Sequence, residues 1–182
     1  MLDRGRLVEA LTLLGADLSR RGLLVELAVY GGSALILQFD WRRMTQDVDA
    51  LVRAGHGEGK LASSVAAVAQ EMGLQPDWLN DAVGMFTPLE EPDDLFEFSG
   101  NYPIGEQPGL RVLVAKPRYM LAMKLAALKS LDRGERDLDD ARELALHLDI
   151  RTEDELLGLY SAIHDEEPPY EITSRLPQVL GG

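Results

Sequence analysis

An α/β (α+β) fold, a mixed sheet flanked by helices with a helical carboxy-terminal subdomain, is what this sequence predicts. Three observations carry that expectation. Apolar residues recur at helical spacing near the amino terminus, β-rich apolar runs then alternate with helix patterns, and beyond about residue 116 only helical patterns remain. The boundary drawn there gives an α/β core over residues 1–116 and a helical subdomain over 117–182, packed on that core. At 182 residues the chain is long enough for a true core, one that buries roughly 70% of the unfolded surface. Hydrophobic residues make up 46% and charged residues 27%, a globular balance and not a disordered one.

Taken in order, Leu7, Ala10, Leu11, Leu14 and Leu18 form one apolar stripe, so residues 3–21 read as an amphipathic helix that Gly22 ends. Leu23 to Tyr30 is a buried strand stopping at Gly31-Gly32, and Ser33 to Phe39 is a short helix. A second strand is expected at Asp47 to Val52, a glycine-rich turn at His56 to Gly59, and a small-residue helix at Lys60 to Met72. Leu95 to Phe98 and Leu110 to Ala115 keep strand character within a Pro- and Gly-rich stretch and are candidates to pair with the first two strands. Pro117 suits the first turn of a helix reaching Ser130. Leu138 to Leu148 is a further helix, and Thr152 with Glu155 forms a capping box for one that reaches His164. No internal repeat appears.

Charge and composition narrow the function. With 31 Asp and Glu against 18 Lys and Arg, the formal charge is −13, which disfavours a broad nucleic-acid-coating surface. The absence of cysteine excludes disulfides, thiolate zinc sites and cysteine nucleophiles. The apolar stretch from Leu27 to Phe39 is too short, and the amino terminus too charged, for a membrane span or signal peptide, so a cytoplasmic location is expected. His56, His147 and His164 are scattered without metal-ligand spacing and read as surface or packing residues. Met120 and Met123 read as core packing, and the acidic run Glu90 to Asp94 as a solvated loop.

Chemistry concentrates in two short segments. Tyr30-Gly31-Gly32-Ser33 joins a strand to a helix start, where outward N–H groups and the helix dipole favour a phosphate. The plainer alternative is a tight turn with Ser33 as N-cap. Next comes Gln46-Asp47-Val48-Asp49, where strand alternation puts both carboxylates on one face. Such a pair suits a hard divalent cation, and a solvated strand end is the alternative. Trp41, beside Arg42 and Arg43, could stack on a base or serve as a hinge aromatic. Lys124 stands among Met120, Leu121, Met123, Leu125 and Leu128 and requires an anionic partner, unless it snorkels to water. Asp137 or Asp140 could supply that partner, and Asp137 could equally be an N-cap with an acidic N3 residue.

Together, a phosphate-holding turn and a two-aspartate strand are what nucleotidyl transfer requires. The run GGSALILQFDWRRMTQDVDAL resembles the opening motif of polymerase-beta superfamily nucleotidyltransferases, closest to the minimal bacterial abortive-infection, type IV-like toxin–antitoxin forms. Gly31, Gly32, Ser33, Arg43, Thr45, Asp47 and Asp49 carry the match, and Arg118 to Leu125 with Arg136 to Asp140 is similar to the helical half of the same family. The resemblance implies Mg2+ or Mn2+ on Asp47 and Asp49, and a nucleoside triphosphate on Gly31, Gly32, Ser33, Arg43, Thr45 and Lys124. It implies catalytic roles for Asp47, Asp49, Lys124 and Asp137. Many members supply a third acid from a later strand, and Glu97, between Phe96 and Phe98, is the candidate here. The implied reaction moves a nucleoside monophosphate to a hydroxyl of RNA (tRNA) or protein, with a small antitoxin as a possible partner. A degenerate nucleotide-binding module or an antitoxin-like interaction module is the alternative.

Overall fold

Asp3 starts the first helix by accepting the Arg6 N–H at 2.8 Å, and α1 runs Arg4–Arg20 with Leu7, Leu11, Leu14 and Leu18 fully buried. The computed structural model describes residues 1–55, 58–88, 90–130 and 134–181. The chain divides into two units, one formed by Met1–Met85 with Phe96–Ala115 and the other by Phe86–Leu95 with Lys116–Gly182. The seam after Ala115 thus has a second crossing, because a ten-residue excursion ahead of residue 96 goes with the helical unit.

In the first unit, β1 (Val25–Val29), α2 (Gly31–Gln38), β2 (Val48–Ala54), α3 (Glu58–Met72), β3 (Leu79–Asn80), β4 (Phe96–Tyr102) and β5 (Leu110–Ala115) follow α1. The strands form one five-stranded mixed sheet in the order β3-β2-β1-β5-β4, flanked by helices. β1 is antiparallel to β2 and parallel to β5, β2 is parallel to β3, and β4 is antiparallel to β5. Only one of the two later strands therefore reaches the first two. β5 pairs with β1, whereas β4 lies at the edge beyond β5. The core forms where Leu27, Val29, Val112 and Val114 are buried and α1 packs against β4, β5 and α3.

Two local expectations change. The second helix begins at Gly31 with Tyr30 as N-cap, so Ser33 lies inside its first turn and is no cap. The turn expected at His56 to Gly59 falls partly outside the described residues, and α3 already begins at Glu58.

The second unit contains α4 (Pro117–Ala127), α5 (Gly134–His147), α6 (Glu153–His164), α7 (Tyr170–Thr173) and α8 (Leu176–Val179). Pro117 occupies the first turn of α4, and Thr152 and Glu155 form the expected capping box of α6. α5 starts four residues earlier than its apolar stripe suggested, which puts Asp137 inside the first turn and rules it out as N-cap. α4 packs on α5 and α6, and Leu121, Leu125, Leu144 and Leu156 of these helices are fully buried. The excursion is tied to α4 by Lys116, whose N–H donates to Leu95 O and whose Nζ donates to Asp94 O, and by a short hydrogen bond from Tyr119 to Glu91. No described helix is long and apolar enough to cross a membrane.

Candidate functional site

The site is built where β1 hands over to α2 beside the start of β2. The Tyr30 N–H donates to Asp49 O at 2.9 Å, which locks the strand-to-helix turn against the second aspartate. Gly31 then takes φ +58°, a conformation that favours glycine, and a Cβ there would stand 2.9 Å from Asp49 Oδ2. A Cβ on Gly32 would stand 2.8 Å from Thr45 Oγ1 and 3.5 Å from Arg42 Nη2. Gly31 thus keeps side-chain bulk away from the Asp49 carboxylate, and Gly32 keeps it away from Thr45 and Arg42. The N–H groups of Gly31, Gly32 and Ser33 have no acceptor within α2 itself, because they belong to its first turn.

Two of the expected ligands, Ser33 and Thr45, have hydroxyls engaged by the local backbone. Ser33 is 1% exposed and donates its hydroxyl proton to Tyr30 O at 2.9 Å, so it offers the site its backbone rather than its side chain. Thr45 is buried, pairs its backbone with Leu2 in both directions, and donates Oγ1–H to Asp47 O at 3.1 Å. It fixes the backbone of the first aspartate. Arg43 is exposed, and it is Arg42 whose guanidinium approaches the glycine turn. Trp41 stacks on Phe39 with ring centroids 5.5 Å apart.

Asp47 and Asp49 are both half-buried. Asn80, which no sequence pattern marked, joins them: its Nδ2 donates to Asp47 Oδ2 at 3.4 Å, and its Cα is the register partner of Asp49 across β2 and β3. A two-residue strand has no periodicity to read, so its polar end was invisible in the sequence. Trp78 anchors it, fully buried, donating Nε1–H to Val65 O at 3.1 Å while its carbonyl accepts the Val48 N–H.

Glu97 is not brought to this pair, and sheet register gives the reason. Ala50 opposes Val29, Val29 opposes Val114, and Val114 opposes Glu97. Directly opposed residues share a sheet face, so Glu97 lies on the face of Ala50 and Asp49 on the other. It is also three strands away, about 14 Å at the usual strand spacing. Phe96 takes the Asp49 face instead and meets Tyr30 edge-on at 5.7 Å, above the small Ala115. The expectation of Glu97 as a metal residue is thereby corrected.

In the second unit Lys124 is enclosed by acids. Its Nζ lies 2.6 Å from Asp137 Oδ1 and 2.8 Å from Asp140 Oδ2, with the Asp140 side chain 1% exposed. Of the roles open to Lys124, the internal ion pair is the one observed, and Asp137 is one of its two anions.

Two hard-oxygen carboxylates beside a glycine turn suit an octahedral divalent cation, which is commonly bound through one or two carboxylates plus phosphate oxygens. Among the described residues no group of three His, Cys, Asp or Glu side chains is placed to hold a metal ion. No family model, no curated protein and no solved structure matched the chain.

Proposed function

We propose that this chain is a metal-dependent nucleotidyltransferase that moves a nucleoside monophosphate from a nucleoside triphosphate to an acceptor hydroxyl. The observation that supports it is the approach of the Gly31-Gly32 turn to Asp49 and Thr45, which puts helix-start N–H groups beside a strand carboxylate pair. The first turn of α2 would bind phosphate oxygens through Gly31, Gly32 and Ser33 N–H, with the Arg42 guanidinium alongside to offset charge. Asp47 and Asp49 would hold Mg2+ or Mn2+, which when bound neutralises triphosphate charge and lowers the pKa of an attacking hydroxyl. That hydroxyl gives up its proton to water as its oxygen bonds to the α-phosphorus, the bond from that phosphorus to the α–β bridging oxygen breaks, and pyrophosphate leaves with that oxygen. Thr45 and Asn80 keep Asp47 in place while this happens. The reading draws nothing from Lys124, whose ammonium Asp137 and Asp140 engage.

The motif's resemblance to polymerase-beta superfamily toxins extends the proposal to a tRNA or protein acceptor, a small antitoxin partner and a cytoplasmic location. The formal charge of −13 favours an acceptor met at one end over a long RNA footprint. A second reading, nucleotide binding without transfer, is favoured by the lack of a third acid beside Asp47 and Asp49 among the described residues. Incubation with each α-labelled nucleoside triphosphate, Mg2+ and cell RNA or protein separates the two. Label on an acceptor, lost in Asp47→Ala, supports transfer; saturable nucleotide binding with no labelled acceptor supports the binding module.

A further inference from the structure

The helical unit holds a cleft of its own, between the end of α5 and the segment that follows α8. Ala145, Ile150 and Val179, all buried, line it together with the exposed Leu146. It encloses about 130 Å3, close to the roughly 150 Å3 apolar cavity that admits a benzene molecule. One apolar side chain fits there; two do not. Arg142 and Arg151 also line the cleft, and among the described residues no acid does. In a chain with 31 acidic and 18 basic residues, that reverses the general balance. Arg142 is fixed at the wall by two anchors: its Nε donates to Gln178 O of α8 at 2.7 Å, and its Nη1 donates to Asp139 Oδ1 at 3.0 Å. Arg151 Nε donates to Asp149 Oδ1 at 2.9 Å. Both aspartate side chains are well exposed, 67% and 84%, so these pairs stay in water and hold the arginines weakly. A guanidinium carries more N–H donors than either arginine commits here, and its planar fork matches a carboxylate.

We propose that this cleft docks the carboxy-terminal residue of a partner protein, whose apolar side chain enters beside Ala145, Ile150 and Val179 while its α-carboxylate meets Arg142 and Arg151. Charge complementarity selects an anionic partner, because the only charged side chains on the cleft among the described residues are the two arginines. Volume selects the terminus. A terminal residue carries its carboxylate and its side chain on one Cα, so a cleft that admits a single side chain satisfies both. An internal acidic residue would need an apolar neighbour as well, and with it a longer groove. The proposal draws nothing from the nucleotidyl-transfer reading, since every residue it uses lies in the helical unit.

The test titrates the full chain with acetyl-Gly-Ser-Gly-Leu bearing a free carboxylate, and follows the methyl resonances of Leu146, Ile150 and Val179 by NMR. Saturable shifts at these methyls are expected, with a Kd of about 1 mM or below. Amidating the peptide's terminus should weaken binding by about 10-fold or more, and so should Arg142→Gln and Arg151→Gln. Ala145→Leu fills the cleft and should abolish binding. Thermal melts check that each variant folds. Should Ala145→Leu or Arg142→Gln not fold, Arg151→Gln decides, because among the described residues its side chain bonds only the exposed Asp149. Equal affinity for acid and amide, wild-type affinity in Arg151→Gln, or no shift up to about 10 mM peptide overturns the proposal. Hexanoate bound as tightly as the peptide overturns it in favour of a small carboxylate ligand. Acetyl-Gly-Leu-Asp-Gly-amide bound as tightly overturns it in favour of an internal acidic segment.

Discussion

Asp47 and Asp49 stand two residues apart where β2 begins in the first unit, Asp47 just ahead of the strand, and Asp137 and Asp140 stand three apart on a helix in the second. The helical spacing puts Asp137 and Asp140 on one face of α5, where both reach Lys124. The helix pair is closed by Lys124 and has given up water, Asp140 almost completely. The strand pair stays half-buried, and Asp47 accepts from a neutral carboxamide instead of a cation. Acids sealed with their own lysine serve the fold. On the proposed function, Asp47 and Asp49 would hold an exchangeable cation, and the same residue type would then do different work in the two units.

The sharpest way to break this comparison is to remove one acid from each pair. Asp47→Ala or Asp49→Ala should cut label transfer by about a thousand-fold or more, equivalent to about 4 kcal/mol of transition-state stabilisation. The thermal midpoint should hold or rise, because removing one of two adjacent carboxylates relieves repulsion. A stability loss with intact transfer would place the strand pair with the helix pair as a structural device.

Lys124→Met makes the converse test. It keeps the apolar stem but leaves Asp140 buried without its cation, and should destabilise the chain by about 3 kcal/mol in urea unfolding. Adding Asp140→Leu should restore most of that loss, since an apolar pair of similar volume removes the stranded charge. If Lys124→Met unfolds at the wild-type midpoint, the pair contributes no more than an exposed one. If the stabilised double variant loses nucleotide affinity, Lys124 has a second task.

How much of this was legible in the sequence differs between the pairs for a physical reason. The fold class, α1 and the capping box of α6 follow from local periodicity and capping chemistry, which need no long-range information. The pairing of Lys124 was legible as an alternative, since a lysine amid buried leucines demands an anion. Glu97 and Asn80 were not separable in advance, because a residue's neighbours across a sheet depend on strand order and register. Alternation around Phe96 and Phe98 correctly gave Glu97 a face, but only the β2-β1-β5-β4 order shows it to be the other face. The resemblance implies Ser33 and Thr45 as ligands, yet the local backbone claims their hydroxyls.

A smaller effect separates strain from site function at glycine. Gly31 and Gly22 both have positive φ, +58° and +70°, but only Gly31 faces Asp49, while a Cβ on Gly22 would meet nothing within 4 Å. Gly22→Ala should cost about 1–2 kcal/mol from the left-handed backbone alone and leave nucleotide affinity unchanged. Gly31→Ala should cost a similar amount and also weaken triphosphate binding, read by calorimetry, because its methyl crowds Asp49 Oδ2. Equal nucleotide affinity in the two variants would detach the turn from the strand pair.

The smallest expected effect concerns a second self-contained network in the helical unit. Tyr160 donates to Glu166 at 2.8 Å, Lys129 lies 3.4 Å from the same carboxylate oxygen, and His164 stacks on Tyr160 with its Nε2 3.3 Å from Ala122 O. Burial holds the His164 imidazole below its ordinary pKa of 6.5, against a favourable carbonyl and the Glu166 charge. The folded chain therefore binds this proton less readily than the unfolded chain, so the stability is fully present above pH 6.5 and is lost as pH falls through the folded value. Glu166 is held below 4.5, first by the Tyr160 hydroxyl and then by Lys129, so its own contribution disappears only in stronger acid. As pH falls below 6.5 the thermal midpoint should drop in wild type and drop less in His164→Gln, which retains an N–H for Ala122 O. Parallel slopes for the two proteins would show that His164 titrates as it does in the unfolded chain.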